Sequence, residues 1–337
     1  MLLDLQLDAR PDLAADRARE LASTGIAGLF TFEGPHDVFL PLIATAATGV
    51  ETDLMTNVAI AIPRSPMHLA NTAYDLQLLS KGRFRLGLGS QIKPHIEHRY
   101  GATWSQPAAR MREWVLAVKA ILTAWQDGTP LDFRGEFTRH TLMPPTFVPG
   151  PNPYGIPPVL LGALGPIMTR TAAEVADGLL VMPFHSHRHV QERTLPAVDE
   201  GLARAGRTRD DLAIHPQAIL AMGRTDAEQA AADTGVRGLL AFYGSTPAYR
   251  SVLEVEGWGD VQPELNRLSK TGDWATMMDL VTDEMVETLA VRGTPEQCAT
   301  ELGRRFGDLA ERVCAYFPGY NPPLDQVHDL AAALAKI

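Results

Sequence analysis

A chain of 337 residues with 40 acidic and 30 basic side chains carries a formal net charge of −10. It has no Lys/Arg run that could displace counterions from a nucleic acid, so no nucleic-acid partner is expected and the acidity reads as solubility. Two cysteines far apart, Cys298 and Cys314, exclude a disulfide framework and a thiolate metal site, and no run approaches the roughly 20 apolar residues of a membrane-spanning helix. The opening Met1-Leu2-Leu3-Asp4 lacks the basic n-region and apolar stretch of a signal peptide, so a cytoplasmic location is expected.

Short apolar runs alternate with helical stretches along the chain. Strands are predicted at Leu2–Asp8, Gly28–Glu33, Asp53–Ile62 and Arg83–Gly89, then at Pro158–Ala163, Gly178–Pro183, Leu212–Met222 and Arg312–Phe317. Helices are predicted between them, the longest from Arg110 to Trp125 and the last from Asp325 to Lys336. Near-continuous apolar strands such as Val58-Ala59-Ile60-Ala61-Ile62 suit a parallel sheet buried on both faces. Eight strands, nearly all followed by a helix, with no nucleotide fingerprint after the first, select an α/β fold of the (β/α)8 (TIM) barrel type over an open doubly wound sheet. One domain over 1–337 is expected, since no linker or repeat interrupts the pattern.

Two segments break the rhythm. The Pro/Gly-rich stretch after the fourth strand, Asp127 to Pro157, includes a predicted small hairpin at Phe133–Phe137. A helical insertion before the eighth strand, Asp226 to Val291, carries Tyr243, Tyr249, Trp258 and Trp274 and is expected to hang over the barrel mouth.

Catalysis in such a barrel sits at the C-terminal ends of the strands. The second strand ends in Glu33-Gly34-Pro35-His36-Asp37, a carboxylate and an imidazole placed for proton transfer, or residues that cap the next helix. Gly87-Leu88-Gly89-Ser90-Gln91 lacks the third glycine of a dinucleotide fingerprint and reads better as a strand end left open for a ligand. Gly162-Ala163-Leu164-Gly165-Pro166 leads into a helix whose free N–H groups suit a phosphate, with Arg170 one turn on. His185-Ser186-His187-Arg188-His189 and His95-Ile96-Glu97-His98 read as loop polar groups, so no metal is expected.

Three segments, Lys81 to Gly89, Ala172-Ala173-Glu174-Val175-Ala176-Asp177-Gly178 and the apolar third strand ending at Pro63, resemble the bacterial luciferase-like monooxygenase superfamily. Glu33 to Leu42 and Ser90 to Gly101 look most like its branch of coenzyme F420-dependent oxidoreductases. The resemblance implies a non-prolyl cis peptide near Val58-Ala59 supporting the cofactor ring, with Asn57 holding the ring edge or substrate. It implies the cofactor phosphate at Gly162, Ala163, Leu164 and Gly165, with Pro183 lining the same groove. It places His36 facing the ring, and where relatives carry an acid after the fourth strand this chain has Ser90 and Gln91. Proton transfer then falls to His36 and Glu33. The implied reaction is hydride transfer between F420 and a small organic substrate. The alternative is a monooxygenase using reduced flavin mononucleotide (FMN) and oxygen, fed by a separate reductase. A homodimer is implied as well.

Overall fold

Eight parallel strands close into a barrel in the computed structural model, which describes all residues from Met1 to Ile337. They are β1 (Leu2–Gln6), β2 (Gly28–Thr31), β3 (Asp53–Thr56), β4 (Phe84–Gly89), β5 (Val159–Ala163), β6 (Gly178–Val181), β7 (Ala213–Met222) and β8 (Arg312–Tyr316). Each pairs with the next, and β8 closes on β1 with Leu2 opposite Arg312 and Asp4 opposite Cys314. The expected (β/α)8 architecture is what the chain adopts. Between barrel and helices lies a core of 63 buried residues, which explains why most strand residues are apolar on both faces.

The barrel interior is layered. At the N-terminal end Asp4, Asp53, Arg85 and Arg312 form an ion network: Arg312 reaches Asp4 at 2.8 Å and Asp53 at 2.9 Å, and Arg85 also meets Asp53 at 2.9 Å. Above it Phe30, Met55, Leu160, Leu180 and Cys314 pack as a small apolar plug. Above the plug the interior turns polar again, with Gln217 and Tyr316 beside Asn57.

The structure corrects two sequence expectations. The third strand is not continuous over Asp53–Ile62: β3 stops at Thr56, the Asn57–Val58 peptide is cis, and pairing resumes only at Ala59–Ile60 against Leu88 and Gly89. The cis bond therefore falls one residue before the position the resemblance implied. The hairpin pairs Phe133–Arg134 with Arg139–His140, so its second strand lies beyond Phe137. Its turn is organised by Glu113, whose carboxylate accepts the N–H groups of Glu136 (2.7 Å) and Phe137 (2.8 Å). The strand end at Gly89, Ser90 and Gln91 does line the cavity, but Gly87 and Gly89 have a further cause. A Cβ at Gly87 would overlap the Thr56 carbonyl oxygen, and one at Gly89 would overlap Val58 Cγ2. They make room for the break in the neighbouring strand, which puts Val58 on the cavity wall.

Gly87→Ala is accordingly expected to cost about 1–3 kcal/mol through overpacking against fixed backbone. The measurement is the urea midpoint, and an unchanged midpoint would mean that the Thr56 carbonyl moves aside freely.

The insertion is helical, as expected, over Asp226–Gly244, Arg250–Val255, Val261–Thr271, Trp274–Asp279 and Asp283–Leu289. It has its own core of 18 buried residues, reaching β7 through Ile219 and Ala221. A short strand, Val291–Gly293, then runs parallel to the end of β7, and helix Pro295–Phe306 leads back to β8. No helix is long and apolar enough to cross a membrane.

Candidate active site

A cavity of about 1020 Å³ opens where the strands end, walled by the strand-end loops and roofed by the insertion. That exceeds the space one drug-sized ligand usually takes, so it has room for a ring cofactor and a second molecule.

Its floor is a hydrogen-bonded trio. The Gln217 carbonyl oxygen Oε1 accepts from Asn57 Nδ2 at 3.0 Å and from the Tyr316 hydroxyl at 2.6 Å. Asn57 Oδ1 is buried with no partner. Gln217 lines the cavity, and with Oε1 occupied its NH2 group has no acceptor in the protein. Asn57 Oδ1 is sealed from the cavity, so the polar group this floor presents to a ligand is the Gln217 NH2 donor. Burial holds the Tyr316 phenol well above its usual pKa, so it stays a neutral donor.

One wall is fastened by Glu33. Its carboxylate accepts from the Ile60 N–H (2.8 Å), from Arg64 (2.6 Å) and from the Tyr100 hydroxyl (2.9 Å). It thereby ties the end of β2 to the point where the third strand resumes and to the loop after helix Lys93–His98. Burial and the Glu33 carboxylate push the Tyr100 phenol up to about 12.

The other sequence-predicted residues divide cleanly. Asn57, Val58, Ser90, Gln91, Gly162, Ala163, Leu164, Gly165 and Pro183 all line the cavity together with Glu33. Ala59 does not: it is fully buried behind Val58, in register with Leu88. His36 does not line it either. Asp37 caps the following helix by accepting the Phe39 N–H at 2.8 Å, and Arg99 holds the Gly34 carbonyl at 2.8 Å. That turns His36 outward, where it is exposed. Arg170 pairs with Glu200 at 2.9 Å and leaves the Gly162–Gly165 turn without its assistance.

Sequence reasoning missed Gln217, Tyr316 and Tyr100. The signal was present for Gln217, a polar side chain inside an otherwise apolar strand, but a strand facing both a barrel lumen and a helix layer hides its inward face.

The histidines behind the site serve packing. His185 donates Nε2–H to the main-chain carbonyl of Gln217 at 3.0 Å and stacks edge-on against Phe306. No set of three His, Cys, Asp or Glu side chains is placed to hold a metal ion. Burial lowers the pKa of His185 to about 3, His189 to about 4 and His215 to about 3. Below the ordinary value of about 6.5 the unfolded chain takes up protons that the folded chain refuses, so stability falls as pH drops from there toward 4. Each histidine contributes at most about 1.4 kcal/mol per pH unit in that window. His215→Leu should flatten the dependence of the melting temperature on pH between 4.5 and 6.5; an unaltered slope would show that His215 protonates in the folded protein.

A closed parallel barrel with a deep, ligand-demanding cavity at its C-terminal face is the architecture of a barrel enzyme. The family model for luciferase-like monooxygenases matches residues 4–311, and the chain belongs to that family of oxidoreductases. An uncharacterized protein of Mycobacterium tuberculosis is 49% identical over 304 residues, spanning 90% of this chain and 89% of that one. A 5,10-methylenetetrahydromethanopterin reductase of Archaeoglobus fulgidus is 33% identical over 239 residues, spanning 69% of this chain and 67% of the relative. Among solved structures, a coenzyme F420-dependent tetrahydromethanopterin reductase from Methanopyrus kandleri superposes with a TM-score of 0.81 at 19% identity, covering 99% of this chain and 97% of that one.

Proposed function

We propose that the protein binds coenzyme F420 in the barrel mouth and moves a hydride between it and a small organic substrate. The observation that carries the proposal is the floor: the Gln217 NH2 group, fixed by Asn57 and Tyr316 and without an acceptor in the protein, presents a donor that suits a ring carbonyl such as those of a deazaflavin. A protein of Mycobacterium tuberculosis named a putative coenzyme F420-dependent oxidoreductase, 29% identical over 300 residues, supports the deazaflavin over the flavin. When bound, the cofactor supplies the two-electron chemistry, and the chain supplies binding, orientation and exclusion of water.

Each residue then has a task. Gln217 sets the depth of the ring, and Asn57 and Tyr316 fix Gln217 by donating to its Oε1. Val58 forms the wall against which the ring rests. Gly162 to Gly165, at the start of helix Pro166–Val175, offer backbone N–H groups to the phosphate of the tail. Ser90, Gln91 and Pro183 close the groove. Glu33 is a positioning residue, because its carboxylate already holds three donors. His36 has no role in the chemistry: His36→Ala is expected to change turnover and cofactor affinity less than about twofold, and a tenfold fall in turnover would restore it.

The same ring carbonyls exist in FMN, and the family model is named for monooxygenases. Titration of the protein with each cofactor, followed by fluorescence, decides between them. Micromolar affinity for F420 with weaker FMN binding is expected; the reverse order assigns the protein to flavin and oxygen.

A further inference from the structure

The roof of the cavity differs from its floor. It is built from the end of helix Asp226–Gly244 and the turn Pro247–Tyr249, and contributes Leu239, Phe242, Tyr243, Pro247, Ala248 and Tyr249. The two tyrosine rings are held by an aromatic cluster. Phe184, fully buried, lies 5.8 Å from Tyr243 and 6.3 Å from Tyr249, and the tyrosines meet each other edge-on at 6.1 Å. Their rings are fixed, so binding through them costs little side-chain entropy.

Neither hydroxyl has a hydrogen-bond partner in the protein, although both residues line the cavity. Tyr243 also stands within electrostatic reach of Tyr316, so phenols run from the floor trio up to the insertion. Burial keeps all three protonated. Cationic side chains are scarce: Lys93 alone lines the cavity, exposed on the helix after β4, with Nζ 3.9 Å from Glu97. An anionic group under the roof would lose its water and find no cation.

We propose that Tyr243 and Tyr249 are the hydrogen-bond donors that select the second ligand of this cavity, and that this ligand is an uncharged, largely apolar ketone or aldehyde whose carbonyl oxygen accepts from them. To call that ligand the substrate rests on the oxidoreductase reading above; its binding does not. The Phe242 and Leu239 side chains take the apolar body, and the phenols fix the direction of the carbonyl.

The test uses three probes of one shape: acetophenone, ethylbenzene and benzoate, with affinities measured by saturation-transfer NMR titration, with and without cofactor. Wild-type protein should bind acetophenone about tenfold more tightly than ethylbenzene, because two donors find their acceptor, and benzoate most weakly. In the Tyr243→Phe/Tyr249→Phe protein the preference for acetophenone over ethylbenzene should vanish while ethylbenzene affinity and the near-ultraviolet circular dichroism stay unchanged. Equal affinity for acetophenone and ethylbenzene in the wild type, a preference that survives the double substitution, or benzoate as the tightest ligand would each overturn the proposal. Cofactor titration of the same proteins keeps the two readings apart. Wild type that binds neither F420 nor FMN refutes the function proposed above, whereas unchanged cofactor affinity in the double variant with loss of ketone preference supports both.

Discussion

Arg312→Ala is expected to destabilise the protein by about 3–5 kcal/mol, the usual cost of removing one partner of a buried ion pair. Arg312 is 8% exposed at its side chain and Asp4 is 5% exposed, with 2.8 Å between them at the closed end of the barrel. Asp53 keeps Arg85 as a second partner, so the loss falls on Asp4. Asp4 has little room to escape, because the Cβ-free surface of Gly28 lies directly against its carboxylate. With an unfolding entropy of roughly 2.1 cal/mol/K per residue, a 337-residue chain loses about 1.4 °C per kcal/mol, so the melting temperature should drop by about 4–7 °C. The control is Asp4→Asn/Arg312→Met, which removes both charges and should recover much of the loss, since a buried pair contributes little net stability over neutral replacements. If the double variant is as unstable as Arg312→Ala, the damage comes from lost packing rather than from a stranded carboxylate. None of this touches the cavity at the other end, and a folded Arg312 variant should bind cofactor as the wild type does.

The barrel itself could be read from the chain because its strands face apolar surroundings on both sides and its helices intervene at regular intervals. The ion network could not. Asp4, Asp53, Arg85 and Arg312 lie in four different strands, and only the parallel register brings them to one level. Barrel closure, rather than local pattern, creates that contact. The floor of the cavity was half legible for the same reason: Asn57 was reached through the family resemblance, since the predicted strand ran past it to Ile62, while Gln217 is deep in β7, where a single polar residue looks like an exception to an apolar run.

Proton-active residues were the hardest to place. Glu33 and His36 are three residues apart in one loop, and nothing in the sequence says which of them faces inward. The answer depends on Tyr100 and Arg64, 67 and 31 residues away, which draw Glu33 into the wall. Asp37 meanwhile caps the next helix and turns the loop outward at His36. The glycines of β4 carry two requirements at once. Gly89 lines the cavity, as its place at the strand end suggested, but Gly87 is required by the neighbouring strand, and a glycine required by a backbone looks the same in sequence as one required by a ligand.

Gln217→Glu is expected to lower affinity for F420 by about 10–100-fold, the cost of losing one hydrogen bond and leaving a buried carbonyl of the ring against a carboxylate. The substitution keeps the acceptor that Asn57 and Tyr316 require, so the trio survives and only the donor facing the cavity is lost. Gln217→Leu differs: it strands the Asn57 amide and the Tyr316 hydroxyl, and should lower the melting temperature as well as the affinity. The pair of variants therefore separates recognition from support. Because F420 and FMN share the ring carbonyls, Gln217→Glu should weaken both by similar factors, whatever their order in the wild type. Loss of both in a protein whose near-ultraviolet circular dichroism is unchanged is the signature of a ring seated on the floor. Wild-type affinity for both cofactors in a folded Gln217→Glu protein would move the ring away from Gln217.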